Sequence, residues 1–465
     1  MLNFGQIALK IVGRMYVGYK IRYFREKKMN KRRRNLIALT LSFTMFSSCM
    51  LVHAAEGTDD NVKTDYIVMV ENQQVLAGLE ANYESTLVSL DEMGGAEEGI
   101  LAMSLSDDER IAVENQNGVH LEEDITLYAC GVDASEQIND QISADQQWNL
   151  GMISASEEER KAADNDSDIK VAIIDSGVSY TTDINVKKSI NLVPGEEEIL
   201  PFYEDVTGHG TSVAGVICAS ENGFGTTGVN PYATLYSVKV LDDNNQSPLS
   251  RVIEGIYWCI ENDIDIINMS FGTSQYSEAF QKAVKAADQA GILMVAAAGN
   301  VNNGNGAAVQ YPAAFPEVIA VGSVDAQGKR SSISATGDEI EIMAPGEKIP
   351  STGFLDIVIQ TEGTSLSASH VSGAASILWG MNPDKPASFI RSLLNQSARP
   401  AGQAEEYGNG ILDIEYAIDH LNDAVESDNN GHADILQNSQ KPEVYEDSYV
   451  DAYWTSTDHE NAVIS

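Results

Sequence analysis

From about residue 147 onward the hydrophobic positions fall into two rhythms. Short apolar runs without polar alternation, each bounded by turn residues, occupy Lys170–Ile174, Thr234–Val240, Ile264–Met269, Ile292–Ala297, Val318–Val324 and Glu341–Ala344. Uninterrupted runs of this length predict strands covered on both faces. Between and after them lie longer stretches of helical period, predicting helices over Thr211–Ala219, Pro248–Asn262, Ser277–Ala290, Ser365–Gly380 and Asp384–Gln396. Strand and helix in alternation predict parallel βαβ units and so an α/β fold with a mostly parallel central sheet.

The region before this pattern is organised differently. Asp65–Val70 reads as one strand and Gly118–Tyr128 as another, with helix-like material between, which predicts a small α+β module over residues 65–130. Residues 422–465 are acidic, carry Asn and Ser, and show neither period, as a disordered tail does. Residues 29–55 have the form of a secretory signal: a basic start at Lys31-Arg32-Arg33-Arg34, an apolar run from Leu36 to Val52, and small residues around Ala54 for cleavage. Residues 1–28 are a doubtful upstream extension. Arg25-Glu26-Lys27-Lys28 is what a purine-rich ribosome-binding site encodes when translated, so Met29 is the expected start.

Charge changes this picture. Residues 1–34 hold 11 of the 29 basic residues, leaving 18 against 68 acidic ones in the rest of the chain. So acidic a body repels nucleic acid and anionic lipid and suits an exported, well-solvated protein. The 465 residues contain only 4 Cys, too few for a disulfide framework; Cys218 and Cys259 sit in helical patterns as small apolar packing residues.

The chemistry is concentrated in three segments. Asp175-Ser176-Gly177 closes the first apolar strand, Gly208-His209-Gly210-Thr211 opens one helix, and Gly363-Thr364-Ser365 opens another. Peptide hydrolysis needs a nucleophile uncharged at rest, a base near neutrality, and a group that fixes the base's tautomer. Ser365, His209 and Asp175 fit those roles. Gly208 and Gly210 let the backbone turn beside the imidazole, and the helix start at Ser365 offers a free N–H to a developing oxyanion. His370, five residues after Ser365 on the same helix, points about 140° away and reads as a packing residue.

Asp, His and Ser in this order resemble the subtilisin-like serine proteases, from about Gln147 to Leu421, closing with Tyr407-Gly408-Asn409-Gly410. The resemblance implies a three-layer subtilisin-like catalytic domain over 147–421, preceded by an inhibitory prodomain over 65–130 that acts as an intramolecular partner, with self-cleavage near Cys130-Gly131. It implies that Asn300, after Ala296-Ala297-Ala298-Gly299, is the second oxyanion donor. Ser270-Phe271-Gly272 and Ala297-Ala298-Gly299 would bind an extended polypeptide substrate, with Phe271 narrowing a subsite and Gln310 near the pocket wall. Val301 stands where many relatives carry an acid, so a preference for basic residues is not indicated. Asn222 resembles the centre of a structural calcium loop, completed by Asp183 and the carbonyls of Ser220, Phe224 and Thr226, although a loop of Asn and Gly needs no ion to form. No cofactor is implied for the chemistry itself. Ser369, Leu366 and Ser212 depart from the usual Pro, Met and His. The implied function is that of a secreted serine endopeptidase made as a zymogen. Two alternatives stand beside it: a dedicated protease maturing an exported, lanthipeptide-like precursor, and a catalytically silent fold that only binds.

Overall fold

The computed structural model describes residues 63–91, 98–131, 136–137, 142, 146–162, 168–195, 205–301 and 308–421. The extension, signal and tail predicted for 1–28, 29–55 and 422–465 lie outside these. The described residues begin with a four-stranded antiparallel module: β1 (Thr64–Val70), α1 (Gln73–Asn82), β2 (Ser85–Asp91), β3 (Glu98–Leu105), α2 (Asp107–Glu114) and β4 (Val119–Glu123), in the sheet order β2-β3-β1-β4. Its own core is Val68, Val70, Leu76, Leu79, Leu101, Met103, Leu105 and Val113. The single strand expected over Gly118–Tyr128 is two. It breaks at Asp124, whose carboxylate accepts hydrogen bonds from Ser250, and resumes as β5 (Thr126–Ala129) outside the module's sheet.

After β6 (Glu136–Gln137), α3 (Trp148–Met152) and α4 (Glu157–Ala162), the chain builds its main sheet from β7 (Lys170–Asp175), β8 (Val186–Asn191), β9 (Thr234–Lys239), β11 (Ile266–Met269), β13 (Leu293–Ala297), β14 (Val318–Val324) and β15 (Ile342–Pro345). All neighbours run parallel, in the order β15-β14-β13-β11-β7-β9-β8. The intervening helices are α5 (His209–Cys218), α6 (Leu249–Glu261), α7 (Glu278–Gln289), α8 (Thr364–Gly380), α9 (Ala387–Ser397), α10 (Ala404–Tyr407) and α11 (Ile414–Asp419). Short strands β10 (Gln246–Pro248), β12 (Phe271–Gly272), β16 (Ile349–Thr352) and β17 (Val358–Thr361) lie outside the large sheet.

The runs without polar alternation have their cause in the packing. In β7, Val171 and Ile173 enter one core with residues of α5, α8 and α9, while Ala172 and Ile174 enter the other with residues of α6 and α7. Successive side chains point to opposite faces, and both faces are apolar. This is a three-layer α/β architecture that brings the carboxyl end of β7 and the first turns of α5 and α8 together. Cys130, Cys218 and Cys259 are free and buried, with their thiols pushed up by burial.

Candidate active site

Asp175 ends β7 and is fully buried. Its Oδ1 lies 2.7 Å from His209 Nδ1 and also accepts the Ser176 N–H at 2.7 Å. His209 is the first residue of α5, and its Nε2 lies 3.1 Å from Ser365 Oγ. The tight turn before α5 has a local reason: a Cβ added at Gly210 would sit 2.1 Å from the Gly177 carbonyl oxygen and 3.1 Å from Asp175 Oδ1. Only glycine lets the helix start this close to the carboxylate.

A network not anticipated from sequence holds that turn. Asp205, fully enclosed, accepts from Ser176 Oγ, Thr207 Oγ1 and Gly208 N through Oδ1, and from Thr211 N and Oγ1 through Oδ2, at 2.6–3.1 Å. Burial raises its pKa, and hydrogen bonds from Thr211 and Ser176 oppose that rise. Lys239, also fully buried, donates to the Ser176 carbonyl at 2.9 Å and the Leu241 carbonyl at 3.1 Å. The one sequence signal for Asp205 is its place shortly before a Gly-His-Gly turn, where an Asx side chain commonly caps backbone N–H groups. Lys239 leaves no signal, because a lysine closing a strand usually faces water.

Ser365 is the second residue of α8 and fully buried. Asn300 lies alongside: its Oδ1 accepts from Thr364 N at 3.1 Å and Thr364 Oγ1 at 2.9 Å, which turns its Nδ2 outward. Both Asn300 Nδ2, at 2.8 Å, and Ser365 N, at 3.3 Å, donate to the carbonyl oxygen of Cys130. Gly363, with φ of 148°, makes room for that oxygen, since a Cβ there would approach it to 2.6 Å. The next residue, Gly131, lies against the His209 ring, where an added Cβ would come within 2.7 Å of Nε2. The chain therefore sets its own Cys130–Gly131 peptide bond between nucleophile, imidazole and two N–H donors.

The approach to this bond is a strand. β5 pairs antiparallel with β12, Phe271 opposite Ala129 and Gly272 opposite Tyr128, and the Cys130 N–H donates to the Ser270 carbonyl at 2.8 Å. On its other side β5 pairs antiparallel with β10, Ser247 opposite Leu127. Ser270-Phe271-Gly272 thus flanks β5, whereas Ala297-Ala298-Gly299 does not pair with it. The Ala298 N–H goes to Val321 and its carbonyl accepts from Gln310 N, while the Gly299 carbonyl accepts from Ala335 N. Residues 246–248 fill that place, and a three-residue segment containing a proline gave no periodic signal. The side chain of Phe271 is fully buried in the apolar cluster that also takes Leu127 and Ala129.

His370 packs as expected. Its Nδ1–H donates to the Leu366 carbonyl at 2.7 Å and its Nε2 accepts from Asn149 Nδ2 at 2.8 Å, and burial pushes its pKa down to about 4. Ser369 and Ser212, the two departures from Pro and His, bond back to the carbonyls of Ser365 and His209 within their own helices. Asp183 and Asn222 are brought together, but they satisfy each other. Asn222 Nδ2 donates to Asp183 Oδ1 at 3.1 Å, Asn222 Oδ1 accepts the Phe224 N–H, and Asp183 Oδ2 accepts from Thr352 Oγ1 at 2.9 Å. In this arrangement the oxygens of Asp183 and Asn222 serve protein N–H and O–H donors. Among the described residues no group of three or more His, Cys, Asp or Glu is placed to hold a metal.

A parallel sheet carrying a buried carboxylate, an imidazole and a helix-start serine in one line, with a peptide carbonyl against two N–H donors, has the form of a serine endopeptidase. The chain belongs to the subtilase family, whose sequence model matches residues 166–410. It is 35% identical to subtilisin J of Geobacillus stearothermophilus and 34% to subtilisin E of Bacillus subtilis, in each case over 391 residues, 82% of this chain and 97% of the relative. It is also 38% identical over 271 residues to a thermostable alkaline protease of Halalkalibacterium halodurans, 58% of this chain and 73% of that protein. Subtilisins need no cofactor for catalysis, and among the described residues no helix is long and apolar enough to cross a membrane.

Proposed function

We propose that this protein is a secreted endopeptidase made as a zymogen, in which residues 65–130 are an inhibitory prodomain and the first bond cut is its own Cys130–Gly131. The observation that carries this reading is the Cys130 carbonyl oxygen held by both Asn300 Nδ2 and Ser365 N. Ser365 Oγ attacks the Cys130 carbonyl carbon as His209 Nε2 takes its proton, and the oxyanion rests on the same two N–H donors. His209 then gives the proton to the Gly131 nitrogen as the C–N bond breaks. Water, deprotonated by His209, then attacks the ester carbon; the bond to Ser365 Oγ breaks as His209 returns the proton to Oγ, and Cys130 leaves as an acid that ionises to the carboxylate. Asp175 keeps the His209 Nδ1–H in place throughout. The cut prodomain remains a product strand between β10 and β12 until it is removed, which blocks the site meanwhile. Other polypeptides enter along the same two edges, and export is directed by residues 29–55. No metal enters the reading.

A silent, purely binding fold has no use for all four aligned groups. A fluorophosphonate probe tests this: wild type labels and Ser365→Ala does not, whereas a folded wild type that fails to label contradicts the proposal. Casein distinguishes a broad protease, which cuts it at many sites, from one dedicated to a single precursor, which leaves it nearly intact.

A further inference from the structure

The slot that receives the side chain of Cys130 is closed by Gln310. This glutamine is 3% exposed, and its Oε1 lies 3.6 Å from Cys130 Sγ, where it accepts the thiol hydrogen. The two sides of the slot are Gly272 and Gly299, and Gln310 lies against both. A Cβ added at Gly272 would stand 2.4 Å from Gln310 Oε1, and one at Gly299 would stand 2.8 Å from its Cγ and Cδ. The space that two facing glycines leave open is occupied from within. It ends one atom beyond the Cβ of the residue before the cut. Leu127, three positions earlier, is by contrast fully buried in an apolar cluster, while Tyr128 is 44% exposed.

We infer that Gln310 is the specificity-determining residue of this protease, restricting the residue before the scissile bond to small side chains, with serine and cysteine favoured by a hydrogen bond to Gln310 Oε1. The inference rests on the reading of Cys130–Gly131 as the bond cut. A larger side chain must displace a buried glutamine that is wedged between two backbone strands. A substrate with Leu or Phe at this position meets the glutamine amide at its γ-carbon. Selection for the natural substrate then comes from an apolar residue at the Leu127 position and a small one at the Cys130 position, not from a bulky residue next to the cut.

The test uses the mature enzyme and fluorogenic peptides Thr-Leu-Tyr-Ala-Xaa with Xaa as Ser, Ala, Leu or Phe, with active sites counted by fluorophosphonate. Discrimination by pocket size is worth about 10–200-fold per methylene, so kcat/KM for Ser and Ala should exceed that for Phe by about 100-fold or more. Gln310→Gly and Gln310→Ala should each raise the Phe-to-Ala ratio at least about 10-fold. In the full chain, Cys130→Phe should slow self-cleavage and Gln310→Gly should restore it. Wild type cutting Phe within about 3-fold of Ala overturns the inference without any variant. So does an unchanged ratio in both variants while the probe still titrates the serine, and the proposed function then survives. Absence of probe labelling together with absence of turnover overturns both.

Discussion

The N-terminal module and the link that follows it carry two acids that end on helices flanking the parallel sheet, Glu122 and Asp124, and they should not be equivalent. α6 begins after Pro248, which offers no side-chain cap; its first N–H groups are instead met by the module, Leu249 N donating to the Ile125 carbonyl and Ser250 N and Oγ to Asp124 at 2.9 and 2.6 Å. Removing Asp124 takes this side-chain cap from the helix start. A hydrogen bond to a charged group contributes about 1.5–3 kcal/mol and a cap about 0.5–2, so Asp124→Ala should lower the local opening free energy by about 2 kcal/mol. Since every 1.4 kcal/mol is tenfold, amide exchange in the first turn of α6 should accelerate about 30-fold. Asp124→Asn keeps one of the two oxygens that Ser250 uses but loses the other and the charge at the helix start, and should accelerate it about five-fold. At α7, Glu122 accepts from Ser277 Oγ, Glu278 N at 3.1 Å and Ala279 N at 3.0 Å, but Ser277 Oγ already caps Phe280 N at 3.0 Å. Glu122→Ala should therefore cost only about 1 kcal/mol there. The assay is hydrogen exchange by mass spectrometry on peptides spanning 248–256 and 277–284, in a Ser365→Ala background so that the chain stays uncut. Protection at 249–252 within about 3-fold of the parent in Asp124→Ala would refute the reasoning.

Three further outcomes follow from the same distances. Thr364→Val removes the Thr364 Oγ1 bond that turns Asn300 and the acceptor of the Gly299 N–H; kcat on a peptide should fall about 10-fold with KM little changed, and a rise in KM alone would contradict the positioning role. His370 is buried neutral with its pKa pushed down to about 4, below its value near 6.5 when unfolded. Its contribution is complete above about pH 6.5 and is lost as pH falls through about 4, worth about 3 kcal/mol. His370→Gln should remove that much from the fall in urea stability between pH 7 and 4, and an unaltered fall would show that other groups carry it. Because the oxygens of Asp183 and Asn222 already serve protein donors, EGTA should shift the melting temperature by less than about 2 °C, whereas a rise of several degrees with calcium would mean that Asn222 turns its oxygen inward.

The strands that form the middle of the sheet were legible because both faces are buried, which leaves no polar residue to interrupt the run. β8, at one edge, was not: Lys187, Lys188 and Ser189 are exposed, and a polar run looks like a loop, whereas the other edge strand, β15, is fully buried and was legible. The helix starts at His209 and Ser365 were readable from glycines whose need is local. β10, Asp205 and Lys239 act through pairing and burial between residues far apart in the chain, and nothing in their immediate neighbours announces it. The break at Asp124 belongs to the same kind, since only the bare start of α6 explains why a continuous β-like run divides there.

The central claim is that Ser365 cuts Cys130–Gly131 within its own chain. The most direct measurement is intact mass and N-terminal sequencing of the protein expressed from Met29, wild type beside Ser365→Ala. The account predicts a wild-type product beginning at Gly131 together with a fragment ending at Cys130, and an uncut Ser365→Ala chain. A folded wild type that stays uncut, a first cut at another bond, or the same cut in Ser365→Ala would contradict it.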